Sequence, residues 1–147
     1  MSHAVLCAEP AVGRDPFVVL LADDLMRGGL PTQFLVDAVA EKPGTILSVM
    51  QVLKKEAQKY GIVRLGSDDE VAGLVEKPAH GTEPSHPASI GRYVLEPEIQ
   101  NVQPPVHGGE IQHAYALNVR AAQGHVRAVT LTGQRYDCSS KMGVWKR

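Results

Sequence analysis

Apolar and polar positions along the 147-residue chain change texture several times, and each change marks an element. Residues 17–21 (FVVLL) form a continuous apolar run that ends at Asp23-Asp24, the pattern of a strand buried on both faces. Residues 31–41 follow, with Pro31 near the start and Leu35/Val39 and Val36/Ala40 at i,i+4 spacing. That spacing predicts a helix laid over the strand. Residues 45–52 (TILSVMQV) repeat the buried-strand pattern, so a parallel pair of strands joined by a helix is expected.

The texture then loosens. Residues 54–60 suit a short polar helix, and the runs 61–65 and 71–75 flank Gly66-Ser67-Asp68-Asp69, a turn between the strands of a hairpin. Residues 78–87 hold three prolines, two histidines and a glycine, too many breaks to pair, and predict an exposed loop. A strand returns at 89–95, a helical turn or two at 97–102, and after Pro104-Pro105 the pair Gly108-Gly109 opens a helix over 110–122. That helix carries Ile111, Ala114, Leu117 and Ala121 on one face. Residues 126–132 (VRAVTLT) alternate as a final strand. The order predicts an α/β fold whose sheet is parallel in part and mixed at its edge.

Composition narrows the partners. The length suits one domain with a real core. Net charge is −1, and no basic cluster exceeds a pair such as Lys54-Lys55, which argues against a nucleic-acid face built on phosphate neutralisation. No apolar run approaches the roughly 20 residues of a membrane span, and Met1-Ser2-His3 lacks the layout of a signal peptide. A cytoplasmic protein with a small-molecule partner is expected. Cys7 and Cys138 lack zinc or disulfide spacing and read as buried or incidental thiols. His80, His86, His107, His113 and His125 show no ligand spacing and read as loop and surface residues.

Open α/β sheets place ligands outside the carboxyl ends of their strands. Asp23 and Asp24 end the first strand, Glu76 and Lys77 end another, and Asp137 follows a later one. These acids can converge on one crevice. Magnesium takes few protein ligands and completes an octahedron with water and phosphate oxygens, so Asp23 and Asp137 are the expected metal pair. An Asp after an apolar strand also serves as a turn former or helix cap, and adjacent Glu76 and Lys77 also suit a solvated strand end. Glu110, at an expected helix start, is favourable there through the helix dipole whether or not it binds a ligand.

Seven blocks stand in one order: HAVLCA at 3–8, VLLADD at 19–24, YGIV at 60–63, LVEKP at 74–78, IGRYVL at 90–95, GGEIQ at 108–112 and RYDC at 135–138. By these blocks the chain resembles the bacterial UTP–glucose-1-phosphate uridylyltransferases of the nucleotide-sugar pyrophosphorylase superfamily. The resemblance implies a partial Rossmann-like nucleotidyltransferase domain, with a mixed, mainly parallel sheet and flanking helices. It implies magnesium-dependent formation of UDP-glucose and pyrophosphate from UTP and glucose 1-phosphate, a task of alignment and charge handling.

By the same resemblance Asp23 and Asp137 hold magnesium, and Lys77 neutralises the sugar phosphate. Glu76 and Glu110 accept hydrogen bonds from glucose hydroxyls, Gly61 lets the backbone approach the sugar, and Gly91 counts among the substrate-binding residues. His3 and Ala4 match the stretch near the nucleotide. In the family a glycine-rich phosphate loop precedes the HAVLCA segment and further residues follow the helix expected near Lys141. Residues 1–147 therefore read as the sugar-phosphate half, lacking the nucleotide loop and truncated at both ends. An inactive remnant, a sugar-phosphate-binding fragment and a relative using another nucleotide such as dTTP remain open. Truncation predicts an exposed sheet edge and self-association.

Three local departures stand out. Ser85-His86-Pro87-Ala88 replaces the family's Ser-Asn-Leu-Ala, and His113-Ala114-Tyr115-Ala116 replaces Leu-Thr-Asp-Ala. Ser139 stands where glycine usually follows; a positive φ there costs about 1 kcal/mol for serine.

Overall fold

Strand pairing is organised around one long apolar segment, Pro87–Leu95, in which Ala88, Ile90, Tyr93, Val94 and Leu95 are all buried. The computed structural model describes residues 2–102, 106–107, 110–111 and 113–139. Its elements run α1 (Ser2–Cys7), α2 (Glu9–Val12), β1 (Phe17–Leu20), β2 (Asp24–Arg27), α3 (Pro31–Glu41) and β3 (Thr45–Gln51). They continue with β4 (Gly61–Leu65), β5 (Val71–Glu76), β6 (Pro87–Leu95), β7 (Val106–His107), β8 (Glu110–Ile111), α4 (His113–Ala122), β9 (Val126–Thr130) and β10 (Gln134–Asp137). Single 3-10 helices occupy Lys54–Lys59 and Pro97–Asn101.

One edge of β6 carries β3 along its length, and the other is shared end to end by β4 and β1. Ile62 of β4 stands opposite Ala88, whereas Phe17 to Leu20 of β1 stand opposite Leu95 to Arg92. Between the two partners, Ser89, Ile90 and Gly91 face a notch. The sheet order β5-β4-β6-β3-β9, with β1 on β6, confirms a mixed α/β architecture.

Two expectations about this sheet fail. The strands β1 and β3 are not paired: β6 lies between them, antiparallel to both, and the parallel partner of β3 is β9. Among the described residues, β3/β9 is the one parallel pair, so the sheet is mixed but not mainly parallel. Periodicity reports burial rather than adjacency, and a strand buried on both faces reads alike in either orientation. Secondly, β1 alternates, with Val18 40% and Leu20 56% exposed, so one of its faces is only partly covered.

Helix α3 packs Leu35 on Ile46 and Val94. In a larger cluster Leu47, Val49 and Leu95 pack with Leu117 of α4. The β4–β5 hairpin forms as expected, with Gly61 opposite Glu76 and with Asp68 and Asp69 at positive φ in the turn. Asp tolerates that conformation because its short side chain bonds locally. The expected helix over 110–122 begins at His113 instead, since Glu110 and Ile111 pair with His107 and Val106. The sequence Gly108-Gly109 between those partners is a two-residue hairpin signal as well as a helix opener. Gly108, Gly109, Gln112 and the segment from Lys141 onward lie outside the described residues.

A separate antiparallel ribbon, β2 with β10, was not expected. Its register sets Asp137 opposite Asp24 and Arg135 opposite Met26. Both strands are only four residues long and each carries two charged residues, too short for a period to show. Pro87 begins β6, where a strand tolerates a missing donor. Cys7 and Cys138 are exposed, so neither is a buried thiol. His80, His86 and His125 are exposed, as expected.

Candidate functional site

The notch beside β6 opens into a cavity of about 250 Å³. The carboxyl end of β1 supplies Leu21, Asp23 and Asp24, the start of β4 supplies Tyr60 and Gly61, and the end of β5 supplies Glu76. Ser89, Ile90 and Gly91 form its β6 wall, Ala114 and Leu117 come from α4, and Arg135 from β10. Four of the residues singled out in the sequence, Asp23, Gly61, Glu76 and Gly91, thus line one space.

Two glycines shape that space differently. A Cβ on Gly61 would lie 2.9 Å from Glu76 Oε2, so the missing side chain leaves room for a carboxylate turned into the cavity. A Cβ on Gly91 would lie 2.7 Å from both Asp24 Oδ2 and Leu21 Cβ. Gly91 therefore makes room for a protein carboxylate, and its N–H donates to Asp24 Oδ2 at 2.6 Å.

Asp24 is the polar centre of the wall. It is 6% exposed, accepts the Arg135 Nε through Oδ1, and accepts Arg92 Nη1 on its carbonyl at 3.1 Å. Arg135 Nη1 donates to the Tyr60 hydroxyl at 3.0 Å, with the guanidinium carbon 4.9 Å from the ring centroid, an arrangement that adds cation–π attraction. Burial opposes the Arg135 charge, but the Asp24 carboxylate outweighs it and holds the guanidinium pKa above its ordinary value. Burial likewise pushes the Tyr93 phenol up. In the sequence Asp24 is only one of several acids, and no local pattern marks Arg135, Tyr60 or Lys59, although RYDC and YGIV contain two of them.

Asp137 stands on the ribbon beside Asp23. The Cys138 N–H donates to the Asp23 carbonyl at 2.7 Å, so the two carboxylates project from adjoining backbone. Ser139 donates to Asp137 Oδ1 through its hydroxyl and, at 3.0 Å, through its N–H. The hydroxyl bond leads the causes that hold the Asp137 carboxyl below its ordinary pKa, with Arg135 and Lys59 adding to it. Ser139 does not have a positive φ; the strain expected of it does not arise. Asp23 is exposed at the cavity and Asp137 half-buried. Such a pair, with waters and phosphate oxygens, fits a hard cation. Among the described residues no three His, Cys, Asp or Glu side chains form a closed metal cluster.

Lys77 follows Glu76 but is not among the residues lining the cavity. It is exposed, sits at φ +43° and donates its N–H to the Tyr60 carbonyl at 3.0 Å. A non-glycine residue there costs on the order of 1–3 kcal/mol and is common at ligand sites. His3 and Ala4 lie in α1, and Ala4 is exposed and does not line the cavity. Glu110 lies in β8, opposite His107.

Known proteins are similar to this chain in sequence and fold. The UTP–glucose-1-phosphate uridylyltransferase of Pseudomonas aeruginosa is 40% identical over 156 residues, covering 97% of this chain and 55% of that protein. A solved UDP-glucose pyrophosphorylase complexed with UDP-glucose superposes with a TM-score of 0.90 at 32% identity, over 98% of this chain and 59% of that one. A UTP-bound UGPase from Acinetobacter baumannii gives 0.86 at 32% identity, over 98% of this chain and 53% of that one. The chain thus spans about half the length of the curated relatives it matches. The family model described as Nucleotidyl transferase matches residues 1–132, and with the sheet and cavity above it the chain belongs to the nucleotidyl transferase family.

Proposed function

We propose that the chain carries the sugar-phosphate side of a uridylyltransferase that makes UDP-glucose and pyrophosphate from UTP and glucose 1-phosphate. The observation that carries this reading is the juxtaposition of Gly61 and Glu76 across the β4–β5 ladder, which holds a carboxylate free to accept hydroxyls at a cavity also reached by Asp23. The names of the relatives supply the substrates; the cavity supplies a place for one of them.

In this reading a phosphate oxygen of glucose 1-phosphate attacks the α-phosphorus of UTP. A new P–O bond forms, the bond between the α-phosphorus and its bridging oxygen breaks, and pyrophosphate leaves with that oxygen. No side chain becomes covalently attached. Glu76 and Glu110 accept hydroxyl hydrogens and fix the sugar, while Lys77, turned out of β5 by its positive φ, offsets the charge of the sugar phosphate so that one anion can approach another. His3 and Ala4 belong to the stretch assigned to the nucleotide.

Asp23 and Asp137 hold magnesium, which when bound supplies positive charge to the UTP phosphates. The Ser139 hydroxyl holds the Asp137 carboxyl below its ordinary pKa, so this ligand stays anionic to a lower pH than an ordinary aspartate. Catalysis is assigned to the cytoplasm on its substrate alone, because nucleoside triphosphates are available there. The outer edge of β1, with Val18 and Leu20 exposed, is the surface through which a second copy associates.

A nucleotide panel tests the reading. With glucose 1-phosphate and magnesium present, pyrophosphate release is expected from UTP in preference to dTTP. Preference for dTTP makes the chain a thymidylyltransferase, and glucose 1-phosphate binding without turnover makes it a sugar-phosphate binder.

A further inference from the structure

The ribbon of β2 and β10 carries Asp137 and begins one residue after Asp23. The side-chain hydrogen bonds described above that join it to the six-stranded sheet all pass through Asp24 or Arg135. Asp24 uses both carboxylate oxygens on the scaffold, one on the Gly91 N–H and one on Arg135 Nε. Arg135 then reaches the Tyr60 hydroxyl and stacks on that ring. A single guanidinium on β10 therefore touches the first residue of β2 and the residue preceding β4.

We propose that Arg135 is a positioning residue: through Asp24 and Tyr60 it docks the ribbon against the notch, and so fixes the Asp23–Asp137 pair relative to the Gly61–Glu76 end of the cavity. The proposal rests on the metal reading of that pair. Arginine suits the task because its planar fork can serve two acceptors at once and stack on an aromatic face, whereas a lysine ammonium is a point donor on a flexible stem.

Amide hydrogen exchange of the ligand-free protein tests the docking. In Arg135→Met, peptides over 24–27 and 134–138 are expected to exchange about tenfold faster than in wild type, with β3 peptides unchanged. Arg135→Lys should recover only part of the protection. Wild-type protection of the ribbon in Arg135→Met overturns the proposal. If Arg135→Met does not fold, Tyr60→Phe, which keeps the ring and removes one acceptor, decides it by an increase of about threefold.

Binding of Mn²⁺ alone, followed by the resonance of the free ion, tests the consequence. Arg135→Met is expected to bind about tenfold more weakly than wild type, and equal affinity overturns the proposal. A wild type that binds no Mn²⁺ yet shows the exchange difference supports the docking and refutes the metal reading of Asp23 and Asp137 instead.

Discussion

Gly61 stands opposite Glu76 in the β4–β5 ladder, and a methyl group on Gly61 would lie 2.9 Å from Glu76 Oε2. The glycine is thereby tied to the direction of the carboxylate rather than to the turn chemistry of the chain. Gly61→Ala should displace only the end of a flexible side chain, at a stability cost under about 1 kcal/mol. Glucose 1-phosphate affinity should nonetheless fall about tenfold, a loss of ~1.4 kcal/mol. Calorimetric titration of the sugar phosphate, beside a urea melt, separates the two effects.

Gly91→Ala should behave in the opposite way. Its Cβ would meet Leu21 Cβ and the Asp24 carboxylate, both at 2.7 Å, in a buried wall that cannot yield without moving the ribbon. A destabilisation of about 2 kcal/mol is expected, read as a lower urea midpoint with an unchanged slope.

Asp137 sets an acid limit. Its folded pKa is depressed, mainly by the Ser139 hydroxyl, so its contribution is present above the unfolded value of about 4 and is lost as pH falls through the lower folded value. As pH falls below about 4, stability should therefore fall less steeply in Asp137→Asn than in wild type. Melting temperatures across that window provide the check; parallel curves would contradict it.

Leu20 is 56% exposed on β1, whose partner among the described residues is β6 alone. Charged residues blunt such edges, so Leu20→Lys should shift sedimentation from an associated species toward the monomer. A wild type that sediments as a monomer at all concentrations removes the premise.

Long apolar runs made much of this fold legible in the chain. The β3 strand, α3 and the β4–β5 hairpin follow from burial patterns and turn residues, and Asp23 and Glu76 from standing where such strands end. Pairing was not legible in the same way. Nothing local says that β6 separates β1 from β3, or that two four-residue segments, one near each end of the chain, meet as a ribbon. The Arg135–Tyr60 contact joins positions 75 residues apart, and neither residue carries a pattern pointing to the other. Gly91 lines the cavity, and the atoms closest to its missing side chain belong to Asp24 and Leu21; a glycine in sequence announces a close approach but not by what.

The most direct measurement is pyrophosphate release from UTP, glucose 1-phosphate and magnesium by the wild-type chain beside Asp23→Asn. Asp23 lines the cavity and is exposed, so the substitution should leave the fold intact and lower the rate by about a hundredfold or more. Release by wild type that depends on both substrates and is lost in Asp23→Asn is the result this account predicts. Equal rates in the two proteins, or no release above the substrate-free background, would contradict it.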